Sequence, residues 1–159
     1  MDKSVPLSQA KYDEIVARLH YCETDMRSEI SNAIRTAKEF GDLSENAEYS
    51  AAKDAQERLE IEIANLSKII SESYPIDSST IDTKKISIGN TIKVFDKLFN
   101  EELTYTMVSS TEASSAEGKL SDRSPIGAML IGKVVGDVVK IKTPNGKIRE
   151  ITVLEITIA

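Results

Sequence analysis

Apolar residues recur at steps of three and four between Ser8 and Phe40: Tyr12, Ile15, Leu19, Cys22, Met26, Ile30, Ala33, Ala37 and Phe40. Held for about four heptads, that spacing predicts a helix with a coiled-coil seam. Ser8 suits the N-cap, with Asp13 and Glu14 early in the helix. Neither Gly nor Pro interrupts the pattern before Gly41. A second seam follows in Ala52, Ala55, Leu59, Ile63, Leu66 and Ile70 and stops at Tyr74-Pro75, where Pro disfavours helix in the preceding residue. Each helix offers one apolar stripe and needs a partner to bury it. The short break at Gly41 predicts an antiparallel hairpin with the seams facing. Arms of about 30 residues, at ~1.5 Å per residue, reach about 45 Å.

Beyond the hairpin the period changes from helical to alternating. Residues 75–85 are rich in Ser, Thr and Asp and read as a linker. Ile86, Ile88, Thr91, Ile92 and Val94 predict a strand broken at Gly89-Asn90, and Leu103, Tyr105 and Met107 alternate with Thr104, Thr106 and Val108. Val138, Val139 and Ile141 lead into Pro144-Asn145-Gly146, and Ile148, Ile151, Val153, Leu154 and Ile156 leave it, a hairpin signal. Ser124-Pro125 opens a short helix through Ile131. Residues 109–117 are poor in apolar groups and are expected to form a mobile loop. The fold class is α+β: a helical hairpin over 1–75, a linker over 76–85, and a small antiparallel sheet unit with a short helix over 86–159.

Composition narrows the chemistry. The 159 residues carry a net charge of −6 with one Cys and one His. Residues 1–78 hold 9 Lys/Arg against 16 Asp/Glu, whereas residues 79–159 hold 11 against 10. The acidic front half argues against general nucleic-acid binding, which needs clustered cations. One Cys and one His exclude a disulfide framework and a closed Cys/His zinc site within the chain. His20 lies in a helical run, one step off the seam, and reads as an exposed helix residue rather than a catalytic base. Cys22 falls on the seam and reads as packing, and Glu57, Glu60 and Glu62 as a solvated face. No apolar run approaches the roughly 18 residues of a membrane span, and the N-terminus lacks a leader pattern, so a cytoplasmic protein is expected.

The turn reads Phe40-Gly41-Asp42-Leu43-Ser44-Glu45-Asn46-Ala47-Glu48-Tyr49. Asp42 and Glu45 are three apart and would share one face of an incipient helix. Two oxygen donors suit a hard cation such as Mg²⁺, whose six positions must then be completed from elsewhere. The same spacing also fits plain helix capping, with Asp42 as N-cap and Glu45 at N3. Both uses stay open on residue chemistry alone.

The string Gly41-Asp42-Leu43-Ser44-Glu45-Asn46-Ala47-Glu48-Tyr49 resembles the tip motif of the Gre family of bacterial transcript-cleavage factors. A second match runs through Ser124-Pro125-Ile126-Gly127, Leu130-Ile131-Gly132-Lys133, Gly136-Asp137-Val138-Val139 and Lys142-Thr143-Pro144-Asn145-Gly146. The resemblance implies an N-terminal antiparallel coiled coil and a C-terminal domain of FKBP-like fold. It implies that the globular part docks at the rim of the RNA polymerase secondary channel; a monomer is expected because the hairpin satisfies its own seam. The coiled coil then reaches the active site, where polymerase cuts the 3′ end of its backtracked RNA. Asp42 and Glu45 match the acidic residues expected to help hold the second Mg²⁺ of the polymerase site and to position water. No metal is expected on the factor alone, which is not itself an enzyme. Ser44, Asn46, Glu48 and Tyr49 match as support for the tip, and Lys38 and Lys53 as basic residues facing RNA. The stretch with Ile126, Gly127 and Lys133 is the candidate contact region for polymerase, with core packing of Ile126, Leu130 and Ile131 as the alternative. The chain departs from the family pattern at Met26-Arg27-Ser28-Glu29, where a basic run and Pro are common, at Ala128, where Arg is common, and at Ser109-Ser110, where Gly is usual. A channel-binding regulator without cleavage activity is the alternative. Prolyl isomerase activity would rest on fold alone, and a free-standing nuclease lacks metal ligands.

Overall fold

The first apolar seam folds as α1 (Gln9–Tyr21), a π-helical turn (Cys22–Met26) and α2 (Arg27–Lys38). The second folds as α3 (Ala47–Glu72). This computed structural model describes residues 3–42 and 45–159. Cys22, Leu59 and Ile63 form the buried centre of the hairpin, with Leu19, Met26, Ile30 and Leu66 packed against them. Burial raises the pKa of the Cys22 thiol, as expected of a packing cysteine.

The unbroken helical register expected for the first arm is corrected by the π-helical turn. A wide turn takes up an extra residue, so the seam then advances by two steps of four and one of three. It runs from Met26 through Ile30 and Ile34 to Ala37, which is buried. Ala33 and Phe40, both expected on the seam, are exposed instead. The Glu face is solvated, as expected, and two of its members also pair across the hairpin. Arg18 donates from Nε to Glu62 Oε1 at 2.6 Å, and Arg27 donates from Nε to Glu60 Oε1 at 2.9 Å. Each guanidinium makes a second bond to the other carboxylate oxygen.

These bonds hold the Glu60 and Glu62 carboxyls below the usual glutamate range. A carboxyl with a lowered folded pKa adds stability above its unfolded pKa and loses it as pH falls through the folded value. Both pairs are exposed, so the effect is small. Hairpin melting, followed by circular dichroism, should hold steady from neutral pH down to the ordinary glutamate range. It should fall modestly below that range, and a Glu60→Gln/Glu62→Gln variant should lose the extra acid sensitivity.

Contacts divide the chain into two compact units, one built on Ala10–Ser73 and the other on Val5–Gln9 with Tyr74–Ala159. The second unit carries a five-stranded sheet of β3 (Asn90–Asp96), β4 (Glu101–Val108), β5 (Lys119–Ser121), β6 (Val138–Lys142) and β7 (Ile148–Ile158), ordered β5-β4-β3-β7-β6. Pairing is antiparallel except between β4 and the short β5. The register of β3 against β7 shifts between Lys93 and Val94. The helix α4 (Pro125–Leu130) closes one face over a core of Ile92, Val94, Met107, Leu130, Ile151 and Val153. Two further short strands, β1 (Val5–Leu7) and β2 (Ser73–Pro75), pair with each other.

Two segments carry more structure than their composition suggests. Residues 109–117 were expected to be a mobile loop, yet Ser109 and Glu112 are buried. Glu112 accepts from the Ser8 hydroxyl at 2.6 Å and pairs with Lys119, so charge rather than apolar contact fixes the loop. Within 76–85, Asp77 caps a 3₁₀ turn, and the Asp82 carbonyl accepts from Nδ2 of the buried Asn90 at 3.0 Å.

Candidate functional site at the hairpin tip

The first arm ends by tightening. The N–H groups of Glu39, Phe40 and Gly41 donate to the carbonyls of Thr36, Ala37 and Lys38 at 3.2, 3.2 and 3.4 Å. Three-residue spacing of this kind satisfies carbonyls that a helix end leaves over. Gly41 then takes φ +102°, a conformation that a side chain would strain.

The second arm begins at Ala47, with Asn46 as its N-cap. Asn46 Oδ1 accepts from the Tyr49 N–H at 3.0 Å. Its Nδ2 donates to the Ala37 carbonyl at 2.6 Å. One side chain therefore starts one helix and fastens the end of the other.

This corrects the capping use considered for Asp42 and Glu45. Neither is in a helix, so they do not share a helical face, and the cap falls on Asn46. The physical reason is donor chemistry: an amide accepts and donates at once, whereas a carboxylate only accepts and could not serve Ala37 as well. Asp42 and Glu45 are both exposed. Of the remaining tip residues, Glu48 lies in the first turn of α3, where the helix dipole favours an acid. Tyr49 is half-buried, and Ser44 lies outside the described residues. Lys38 is exposed in the last turn of α2. Lys53 is exposed and donates to Gln56 Oε1 at 3.0 Å along its own helix.

Among the described residues, no three His, Cys, Asp or Glu side chains gather into a metal-binding group. The carboxylates of Asp42 and Glu45 are hard oxygen donors, the type Mg²⁺ prefers, and they would fill part of its shell. The donor chemistry thus fits a hard cation, but these two residues would not complete its shell.

Asn46 offers a prediction that separates its two bonds. Asn46→Asp keeps an acceptor for Tyr49 but loses the donor to Ala37. Asn46→Ala loses both. Each lost bond should cost about 1 kcal/mol. Thermal melting of the hairpin should therefore rank wild type above the Asp variant and the Asp variant above the Ala variant.

The second group of candidate residues lies around α4. Ser124 Oγ caps the helix by accepting from the Gly127 N–H at 3.0 Å. Gly127 is buried, and a Cβ there would lie 1.8 Å from the Ser121 carbonyl oxygen, so its absent side chain admits the helix onto β5. Ile126 packs against the core, and the Lys133 carbonyl accepts from the Ile86 N–H at 2.8 Å. Met129, Ile131, Val134, Val135 and Val138 are exposed apolar side chains nearby.

Fold and tip together define a class: a helical hairpin with an oxygen-rich end, joined to a small sheet unit. No helix among the described residues is long and apolar enough to cross a membrane. Residues 5–74 match the pattern described as "Transcription elongation factor, N-terminal", and residues 81–158 match "Transcription elongation factor, GreA/GreB, C-term". The chain is 43% identical over 156 residues to Transcription elongation factor GreA of Thermoanaerobacter pseudethanolicus, covering 98% of this chain and 99% of that protein. It is 39% identical over 155 residues to the protein of the same name from Clostridioides difficile, covering 98% and 97%. The crystal structure of GreA factor homolog 1 of Thermus thermophilus aligns with a TM-score of 0.44 at 29% identity, over 97% of this chain and 99% of that one. The chain belongs to the GreA/GreB family of transcription elongation factors.

Proposed function

We propose that this elongation factor stimulates bacterial RNA polymerase to cleave the 3′ end of its own backtracked RNA. The observation that carries the proposal is the division of labour at the tip: Asn46 caps α3 and holds α2, while Asp42 and Glu45 present exposed carboxylates. In this reading the hairpin enters the secondary channel and the sheet unit docks at its rim through the region of Ile126 and Lys133. Lys38 and Lys53 face the RNA backbone, where cations offset phosphate charge. Asp42 and Glu45 hold part of the coordination shell of the second Mg²⁺ and accept a hydrogen bond from the attacking water, which orients it. A divalent cation bound there supplies charge to the reacting phosphate. Asn46, Glu48 and Tyr49 keep the two helix ends in place around those carboxylates. The factor works with the polymerase site and holds no metal alone.

The test is a cleavage assay on stalled polymerase complexes with labelled RNA. Added factor should speed release of the 3′ fragment over polymerase alone. Slowed nucleotide addition without added cleavage would instead identify a regulator that only occupies the channel.

A further inference from the structure

Phe40 is the most exposed large apolar side chain among the described residues, at 70%. Helical spacing would place it on the seam, but the hairpin closes one turn earlier. Ala37 is the last buried residue of the first arm, and its carbonyl receives both the Phe40 N–H and Asn46 Nδ2. Beyond that point, among the described residues, no buried layer takes an aromatic ring. The ring is therefore displayed beside the turn, two residues from Asp42 and two from Lys38, both of which are exposed. A planar apolar face, a cation and the Asp42 carboxylate within five residues match the parts of a nucleotide: base, phosphate, and the cation that a phosphate shares. Aromatic faces stack on bases with little sequence preference, because every base has a π-face.

We propose that Phe40 stacks on the 3′-terminal base of the RNA to be cleaved and so fixes the scissile phosphate against Asp42 and Glu45. The proposal rests on the cleavage function given above. It makes Phe40 a contact to substrate that supplies binding and orientation, with no proton transfer of its own.

The experiment compares Phe40→Ala, Phe40→Leu and Phe40→Trp in the stalled-complex cleavage assay at limiting factor. Each is tested on RNA ending in an ordinary nucleotide and on RNA ending in an abasic one. Stacking on one base is expected to give a loss of about 5- to 150-fold for the Ala variant. The Leu variant should fall with Ala and the Trp variant should keep wild-type activity. On abasic RNA the wild-type and Ala proteins should cleave at the same rate. Full activity of the Ala or Leu variant on ordinary RNA would overturn the proposal, as would an Ala defect that persists on abasic RNA. Asp42→Ala run alongside separates the two levels. If it retains stimulation, the cleavage function at this tip fails; if it is inactive while Phe40→Ala is fully active, only the stacking fails.

Discussion

Replacing Asp42 or Glu45 by Ala should return cleavage of stalled complexes to the level of polymerase alone, while binding to polymerase survives. Each carboxylate acts where charge develops during phosphodiester hydrolysis, and loss of one such preorganised group costs on the order of 10²-fold or more. Both residues are exposed and neither caps a helix, so the variants should still fold, with at most a small loss of stability. The amide variants Asp42→Asn and Glu45→Gln preserve shape and remove charge, and they should fail nearly as badly. Unchanged cleavage by all four variants, in complexes that still bind the factor, would exclude the tip chemistry.

Replacing Arg149 by Met should cost about 3–5 kcal/mol of stability in the sheet unit, the usual penalty for leaving a buried charge without its partner. Asp96 is fully buried on β3, and its Oδ2 accepts from Arg149 Nε at 2.5 Å. The other carboxylate oxygen accepts from the Leu98 N–H at 3.0 Å. Arg149 also reaches the Tyr105 hydroxyl at 3.5 Å and lies over the Phe99 ring at 5.7 Å. Burial works against the guanidinium charge, but the bonds to Asp96 and Tyr105 outweigh it and raise the pKa. Urea unfolding followed by the circular dichroism of the sheet should show the loss. An Arg149→Met/Asp96→Leu double variant should recover part of it, because no lone charge remains buried. Equal stability of the single variant and wild type would show that the pair contributes nothing net.

Much of this architecture was legible in the chain, because apolar spacing reports directly on which face is buried. The second seam, the first seam as far as Ile30, the Asn145-Gly146 hairpin and the Ser124-capped helix all appear where the pattern places them. What the pattern missed depends on contacts between distant residues. The π-helical turn at Cys22–Met26 moved the seam from Ala33 to Ile34, and the end of α2 at Lys38 left Phe40 exposed, neither of which a uniform helical period foresees. Residues 109–117 looked unstructured because Glu112 is held by Ser8 and Lys119 through charge and hydrogen bonds. At the tip, Asp42 and Glu45 stood at a familiar capping interval and drew attention from Asn46. The signal was present: Asn is a strong N-cap and stands directly before the helix formers Ala47 and Glu48. Its second bond, to Ala37 nine residues back, is visible only once the hairpin is folded.

If Asp42 and Glu45 lend oxygens to a cation shared with polymerase, the factor must change how much Mg²⁺ the reaction needs. Measuring the Mg²⁺ dependence of transcript cleavage with wild-type factor, with Asp42→Asn factor and with polymerase alone tests this most directly. Wild-type factor should lower the half-saturating Mg²⁺ concentration, and the Asn variant should restore it to the value for polymerase alone. Superimposable Mg²⁺ curves in all three cases, with cleavage still stimulated, would contradict a metal role for the tip carboxylates.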